Sequence, residues 1–224
     1  MIKCENLSIG YDEPIVEPFN LEIKDNKWYG IIGRNGSGKT TFLKTILGVI
    51  KPLSGKLSSV TEKVGYIPQE REINLNDNWS GLTLVKVSYK AWKFGFPFYS
   101  KSLKNKAIKL LELVGASSYM HKPFMSLSGG QKKRIFLAQA LINAPQILLL
   151  DEPLADLDPS SKQSFIKSLQ HIRQSTDFGL TLLIISHDMH EIASYLDEFI
   201  HFKDAKVHSC EELPCISEGA YVGI

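Results

Sequence analysis

The sequence predicts an α/β protein: a mostly parallel sheet with flanking helices, antiparallel strands at the N-terminus, and a helical subdomain inserted into the core. Three observations predict it. Trp28 to Ile32 is an aromatic and β-branched run leading into Gly33-Arg34-Asn35-Gly36-Ser37-Gly38-Lys39-Thr40, and Thr41 to Leu47 continues as a helical pattern stopped by Gly48. Gln146 to Leu150 and Leu180 to Ile185 are short apolar runs, as strands covered on both faces of a parallel sheet require. Between these regions, Lys104 to Val114 and roughly Gln131 to Ile142 have helical periodicity. The order strand, helix, strand, insertion, strand, helix, strand places ligands at the carboxyl ends of the strands.

The elements follow in order. Residues 1–26 alternate loosely, with Ile2, Leu7 and Ile9, then Phe19, Leu21 and Ile23, around the turn-rich Gly10-Tyr11-Asp12-Glu13-Pro14; this predicts two antiparallel strands. Lys51 to Gly55 reads as a turn, and Val64 to Ile67 as a short strand ending at Pro68 and Gln69. From Glu70 the polar residues Asn74, Asn76, Asp77 and Asn78 give way to an aromatic cluster of Tyr89, Trp92, Phe94, Phe96, Phe98 and Tyr99. In the next helix Ile108, Leu111 and Val114 share one face, and Gly115 stops it. Asp158-Pro159 starts a further helix with an N-cap and a proline at the first position. Asp188 to Leu196 reads as a helix and Glu198 to Val207 as a closing hairpin around Asp204-Ala205. The division expected is one domain over 1–224, its core formed by 1–74 and 141–224 and its helical insertion by about 75–140.

Composition narrows the classes. An apolar share of 43% and a charged share of 22% are those of a soluble globular protein with ample core. A net charge of +2, with cations clustered only at Lys132, Lys133 and Arg134, gives no basis for a nucleic-acid groove. Cys4, Cys210 and Cys215 have no disulfide-framework spacing, and the charged start Met1 to Asn6 lacks a signal-peptide core, so a cytoplasmic setting is expected. No apolar run reaches the ~20 residues that span a bilayer. Work at a membrane would need another chain to do the spanning.

Two motifs carry chemistry. In Gly33 to Thr40 the glycines let backbone N–H groups crowd around an anion, and the helix start adds partial positive charge. Lys39 would reach β- and γ-phosphates, and the Thr40 hydroxyl would sit on Mg²⁺. Ile147 to Glu152 is an apolar strand ending in two carboxylates. Asp151 is the candidate Mg²⁺ residue and Glu152 the candidate for polarising a water that attacks the γ-phosphate.

Leu127-Ser128-Gly129-Gly130-Gln131 lies before that strand and opens a helix, making a second anion-binding helix start. With this pentapeptide the sequence resembles the ATP-binding cassette (ABC) ATPases over essentially its whole length, with wording most similar to the metal-ion uptake group. The resemblance implies a P-loop NTPase core and a head-to-tail dimer in which Ser128, Gly129, Gly130 and Gln131 of one copy cap the γ-phosphate held by the other. It implies that Tyr11 stacks on adenine, and that Gln69 touches Mg²⁺ and the attacking water. It further implies that Asp158 reaches across the dimer and that His187 contacts the γ-phosphate. Thr41 joins Gly33 to Thr40 in the loop. One position departs from the family: Leu154 stands where Thr or Ser usually follows Glu-Pro, which is expected to tune a dimer contact and not hydrolysis.

The implied activity is ATP hydrolysis that energises transport of a small solute, a metal ion or metal chelate among the candidates. The implied partners are a second copy, an integral membrane permease and an extracytoplasmic solute-binding protein, with this chain peripheral on the inner membrane face. The rival reading is a soluble cassette ATPase acting in cofactor assembly. The aromatic cluster reads either as core of the insertion or as a groove for a partner helix. His208, Cys210 and Cys215 have poor spacing for a closed zinc site and read as an ordinary tail.

Overall fold

A computed structural model of the chain describes residues 1–59, 63–69, 79–89, 101–175, 179–187 and 189–211. Along the chain run β1 (Ile2–Ser8), β2 (Phe19–Ile23), β3 (Trp28–Gly33), α1 (Lys39–Ile46), β4 (Ser54–Ser59) and β5 (Val64–Ile67). Among the described residues the α-helices that follow are α2 (Gly81–Val87), α3 (Lys101–Leu113) and α4 (Gly129–Leu141). The chain then forms β6 (Ile147–Asp151), α5 (Pro159–Gln174), β7 (Thr181–Ile185), the one-turn α6 (Met189–Ile192), β8 (Glu198–Lys203) and β9 (Lys206–Cys210).

The strands form two sheets. The larger has the order β5-β6-β7-β3-β8-β9, parallel throughout except for β9. The smaller is antiparallel, in the order β2-β1-β4. Side-chain alternation on the central strands feeds two cores at once. Leu148, Leu150, Leu182, Ile184, Ile32 and Phe199 face one cluster, which contains residues of α2 to α5. Leu149, Leu183, Ile185, Tyr29, Ile31, Ile200 and Phe202 face the other, which contains the small sheet and α1. That is why β3, β6 and β7 are buried at every position and their apolar runs do not alternate.

Helix α1 is held in the second core through Phe42, whose ring lies 5.9 Å from Phe19 of the small sheet and 5.7 Å from Phe202 of the large one. The small sheet thereby presses the phosphate loop, which immediately precedes α1, onto the strand ends. Helices α2 and α3 pack on α4. Gln139 on α4 donates to the Ser88 hydroxyl at 2.6 Å, and Asn143 donates to the Ser88 carbonyl at 2.9 Å, tying α4 to the end of α2.

Several expectations change in detail. Residues 54 and 55 begin β4 and do not belong only to a turn; this strand shows a single apolar residue, Leu57, so its pairing with β1 was invisible in its own pattern. The helix expected over 188–196 is one turn of α-helix followed by a 3-10 turn at Ala193–Tyr195. On α3 the buried face comprises Ala107, Leu110 and Leu111, with Ile108 only half-buried. The hairpin extends through Cys210, so His208 and Cys210 belong to an edge strand and not to a tail. Its turn residues Asp204 and Ala205 both have positive φ, the twist that joins two strands through a two-residue loop. Leu154 is fully buried in the chain's own core and is therefore unavailable for the dimer contact expected of it. Of the aromatic cluster, Tyr89 is half-buried against the first core; Trp92, Phe94, Phe96, Phe98 and Tyr99 lie outside the described residues, as do Asp188 and Cys215.

Phe42 touches both sheets, so Phe42→Ala removes the contact that seats α1 between them. We expect a loss of about 3–5 kcal/mol of unfolding free energy, measured by urea titration.

Candidate active site

The loop from Gly33 to Lys39 leaves β3 and turns into α1. Gly36 and Gly38 adopt φ of +78° and +101°, which side-chain-bearing residues rarely do. Gly38 is also the N-cap of α1 and offers no side chain to the first-turn amides, so those N–H groups remain for an anion. Lys39 is buried, and its Nζ donates to the carbonyls of Gly33 and Arg34, both at 2.7 Å. The Ser37 hydroxyl is buried without a hydrogen-bond partner, a donor suited to a phosphate oxygen.

Asp151 closes β6 beside this loop. Its Oδ1 accepts from the Thr40 hydroxyl at 3.2 Å, while Oδ2 is buried with no well-formed hydrogen bond. A buried carboxylate oxygen without a well-formed hydrogen bond, next to a threonine hydroxyl, is a donor set that suits Mg²⁺. Burial pushes the Asp151 carboxyl above its usual range, opposed by Thr40, Lys44, Lys39 and Tyr66.

Glu152 is the next residue and is buried as well. Its φ of +51° is a left-handed conformation that costs a non-glycine residue about 1–3 kcal/mol. The backbone N–H of Glu152 donates to Ile185 at 3.0 Å, and the side chain turns to the end of β7. There Oε2 accepts from the His187 backbone N–H at 3.1 Å, and Oε1 lies 3.3 Å from His187 Nε2. Burial raises the Glu152 pKa, opposed mainly by His187. Lys39 is shifted down by the same burial, against the pull of Glu152 and Asp151.

These groups share one cleft of about 400 Å³, whose walls include Asn35, Gly36, Gly38, Lys39, Thr40, Thr41, Gln69, Asp151, Glu152 and His187. Ile15 and Ile185 are its apolar walls. Ile15 was not singled out in the sequence; its Cγ2 lies 3.2 Å from where a Cβ on Gly38 would stand, so it packs directly on the phosphate loop. The only hint was an apolar residue following the Pro14 turn.

The remaining candidates lie outside these walls. Tyr11 is 63% exposed. Ser128 caps α4: its hydroxyl accepts from the Gln131 amide at 3.3 Å, and Gln131 Oε1 accepts from the Ser128 amide at 3.1 Å. Ser128 and Gly129 are exposed, whereas Gly130 is buried against Ser161. Asp158 caps α5, accepting from the Ser160 and Ser161 amides at 3.0 Å each and from the Ser160 hydroxyl at 2.8 Å. The Ser161 and Ser160 side chains, together with those two amides, hold its carboxyl far below the usual range. Gly33, Lys39 and His187 also border a smaller pocket with Met189 and His190.

The chain brings the glycine-rich loop, both acids and His187 into one cleft, and the capped start of α4 is not among its walls. Comparison with known proteins identifies the family. The family model described as "ABC transporter" matches residues 16–155. The chain is 35% identical over 219 residues to the spermidine/putrescine import ATP-binding protein PotA of Fusobacterium nucleatum, covering 92% of this chain and 56% of that protein. It is 31% identical over 208 residues to the manganese transport system ATP-binding protein MntB of Listeria monocytogenes, covering 89% and 85%. Among the longer relatives it matches, it spans only 37% to 56% of their length. A solved dimeric structure of MJ0796, a bacterial ABC transporter cassette, superposes with a TM-score of 0.77 at 26% identity, over 94% of this chain and 98% of that one. The chain belongs to the ATP-binding cassette transporter family.

Proposed function

We propose that this chain is the ATP-binding and hydrolysing subunit of a transporter, working as a pair of copies on the cytoplasmic face of a membrane. The observation that carries the reading is Glu152: a carboxylate buried in a left-handed turn, anchored by the His187 amide, and opening into the same cleft as the phosphate loop.

The proposed division of labour joins this geometry to the family resemblance. The loop amides, the Ser37 hydroxyl and Lys39 bind the β- and γ-phosphates. Tyr11, exposed and aromatic, stacks on adenine. Thr40 and Asp151, with Gln69 on the cleft wall, would hold Mg²⁺, which when bound neutralises charge on the phosphate oxygens. Glu152 orients a water and takes its proton as the oxygen attacks the γ-phosphorus and the bond to the bridging oxygen of ADP breaks. His187 fixes the Glu152 carboxylate and faces the γ-phosphate.

Ser128 to Gln131 open a separate capped helix and are not among the walls of the chain's own cleft. In a head-to-tail pair they cap the γ-phosphate bound by the other copy, with Asp158 close to the other phosphate loop. The related cassette that is dimeric supports this pairing. ATP then favours the closed pair because its γ-phosphate touches both chains, and hydrolysis removes that preference. Helices within 75–140 pass the motion to a membrane-spanning permease chain. No helix among the described residues is long and apolar enough to cross a membrane itself. The names of the relatives, for manganese and for polyamines, support a small cationic solute, with a metal ion our first choice; its delivery by a separate capture protein is part of the proposal.

Glu152→Gln tests the base directly. ATP binding should persist, turnover should fall by about 100-fold or more, and light scattering should show an ATP-dependent dimer. Wild-type turnover in this variant would sink the assignment.

The same variant carries a stability prediction. A carboxyl whose folded pKa is raised by burial contributes stability below its unfolded pKa of about 4.3 and loses it as pH rises through the folded value. Ionised Glu152 is therefore a cost at neutral pH. Without nucleotide, Glu152→Gln should melt above wild type at pH 7.5 by differential scanning fluorimetry, with the gap closing toward pH 4.5.

A further inference from the structure

Lys133, on the second turn of α4, takes part in none of the steps above. Its Nζ donates to the carbonyl of Ala155 at 2.7 Å and reaches the carbonyl of Glu152 at 3.4 Å. The Ala155 amide closes the same turn on the Glu152 carbonyl at 3.2 Å. Glu152 and Asp156 are both left-handed, at φ of +51° and +59°, so the turn is strained at each end of the segment that the ammonium grips. Such conformations persist only where the surroundings over-determine them. A cation aimed at two convergent carbonyls is a contact of that kind.

The start of α4 meets the far end of the same turn. A Cβ on Gly130 would lie 2.6 Å from Ser161, and one on Gly129 would lie 3.9 Å from Leu157. The first two turns of α4 are thus seated on residues 152–161 at both ends.

We infer that Lys133 is a positioning residue, which links the helix capped by Ser128 to the turn that presents this chain's own Glu152. The inference rests on the reading of Glu152 as base and of Ser128 as the cap on the partner copy's nucleotide. Engagement of α4 with one nucleotide then sets the carboxylate over the other, making the two sites of the pair interdependent without a direct contact between them. Burial opposes the charge on Lys133, while Asp156 and Glu152 favour it.

The test compares wild type with Lys133→Met, Lys133→Arg and Glu152→Gln, measuring ATPase kcat and KM and the Kd of a fluorescent ATP analogue. Lys133→Met should lower kcat about 10- to 100-fold, as displacement of a catalytic group does. Its KM and Kd should stay within about twofold of wild type, since no phosphate contact is lost. Lys133→Arg should recover most of kcat. An unchanged kcat, a loss of affinity in step with kcat, or a failure of arginine to rescue overturns the inference. If circular dichroism shows Lys133→Met unfolded, Lys133→Gln is read by the same kcat and affinity criteria. Wild-type turnover in Glu152→Gln would instead overturn the underlying site reading, whatever Lys133 does.

Discussion

Three ionisable side chains, Lys39, Asp151 and Glu152, are buried together at the carboxyl edge of the large sheet, and the rest of the structure holds them there. Each pays for burial in its own titration: both acids are pushed up and the lysine down. Their mutual attraction and the hydrogen bonds from Thr40 and the His187 amide offset part of that cost. The arrangement suits a site whose substrate brings concentrated negative charge and a divalent cation.

Holding the charges requires two cores. Every central strand is buried on both faces, so β3, β6 and β7 are fixed relative to each other and their ends form a rigid shelf. Onto one face α1 is pressed by Phe19 and Phe202 through Phe42, which places the phosphate loop. Onto the other face α4 and α5 are seated, which places Ser128, Lys133 and Asp158 around the turn after β6. The phosphate loop and the acids thus sit on a shared shelf but are approached from opposite faces. That layout leaves a cleft at the strand ends and, apart from its walls, the capped start of α4, as the proposed pairing of two copies requires.

Much of this was legible along the chain. The apolar runs of β3, β6 and β7, the glycine spacing around Lys39, and the Asp158-Pro159 helix start each have a local physical cause, so each can be read locally. Ser128 and Gln131 likewise form their capping box within four residues. Elements whose cause lies elsewhere were not legible. Strand β4 is polar and exists because β1 offers it an edge. The helix expected after His187 breaks after one turn. Ile15 lines the cleft because Gly38 approaches it, and Leu154 is fully buried in the chain's own core.

The sequence by itself determined the phosphate loop, the paired acids and the family, because spacing within a few residues specifies backbone shape and chemistry there. Only the tertiary structure decided how Glu152 is aimed, since its left-handed φ is imposed by contacts with Ile185, His187 and Lys133, which lie 19 to 35 positions away along the chain. It also decided that Ser128 and Asp158, each the cap of a helix, are not among the walls of the cleft, because α4 and α5 pack on each other and on the turn after β6.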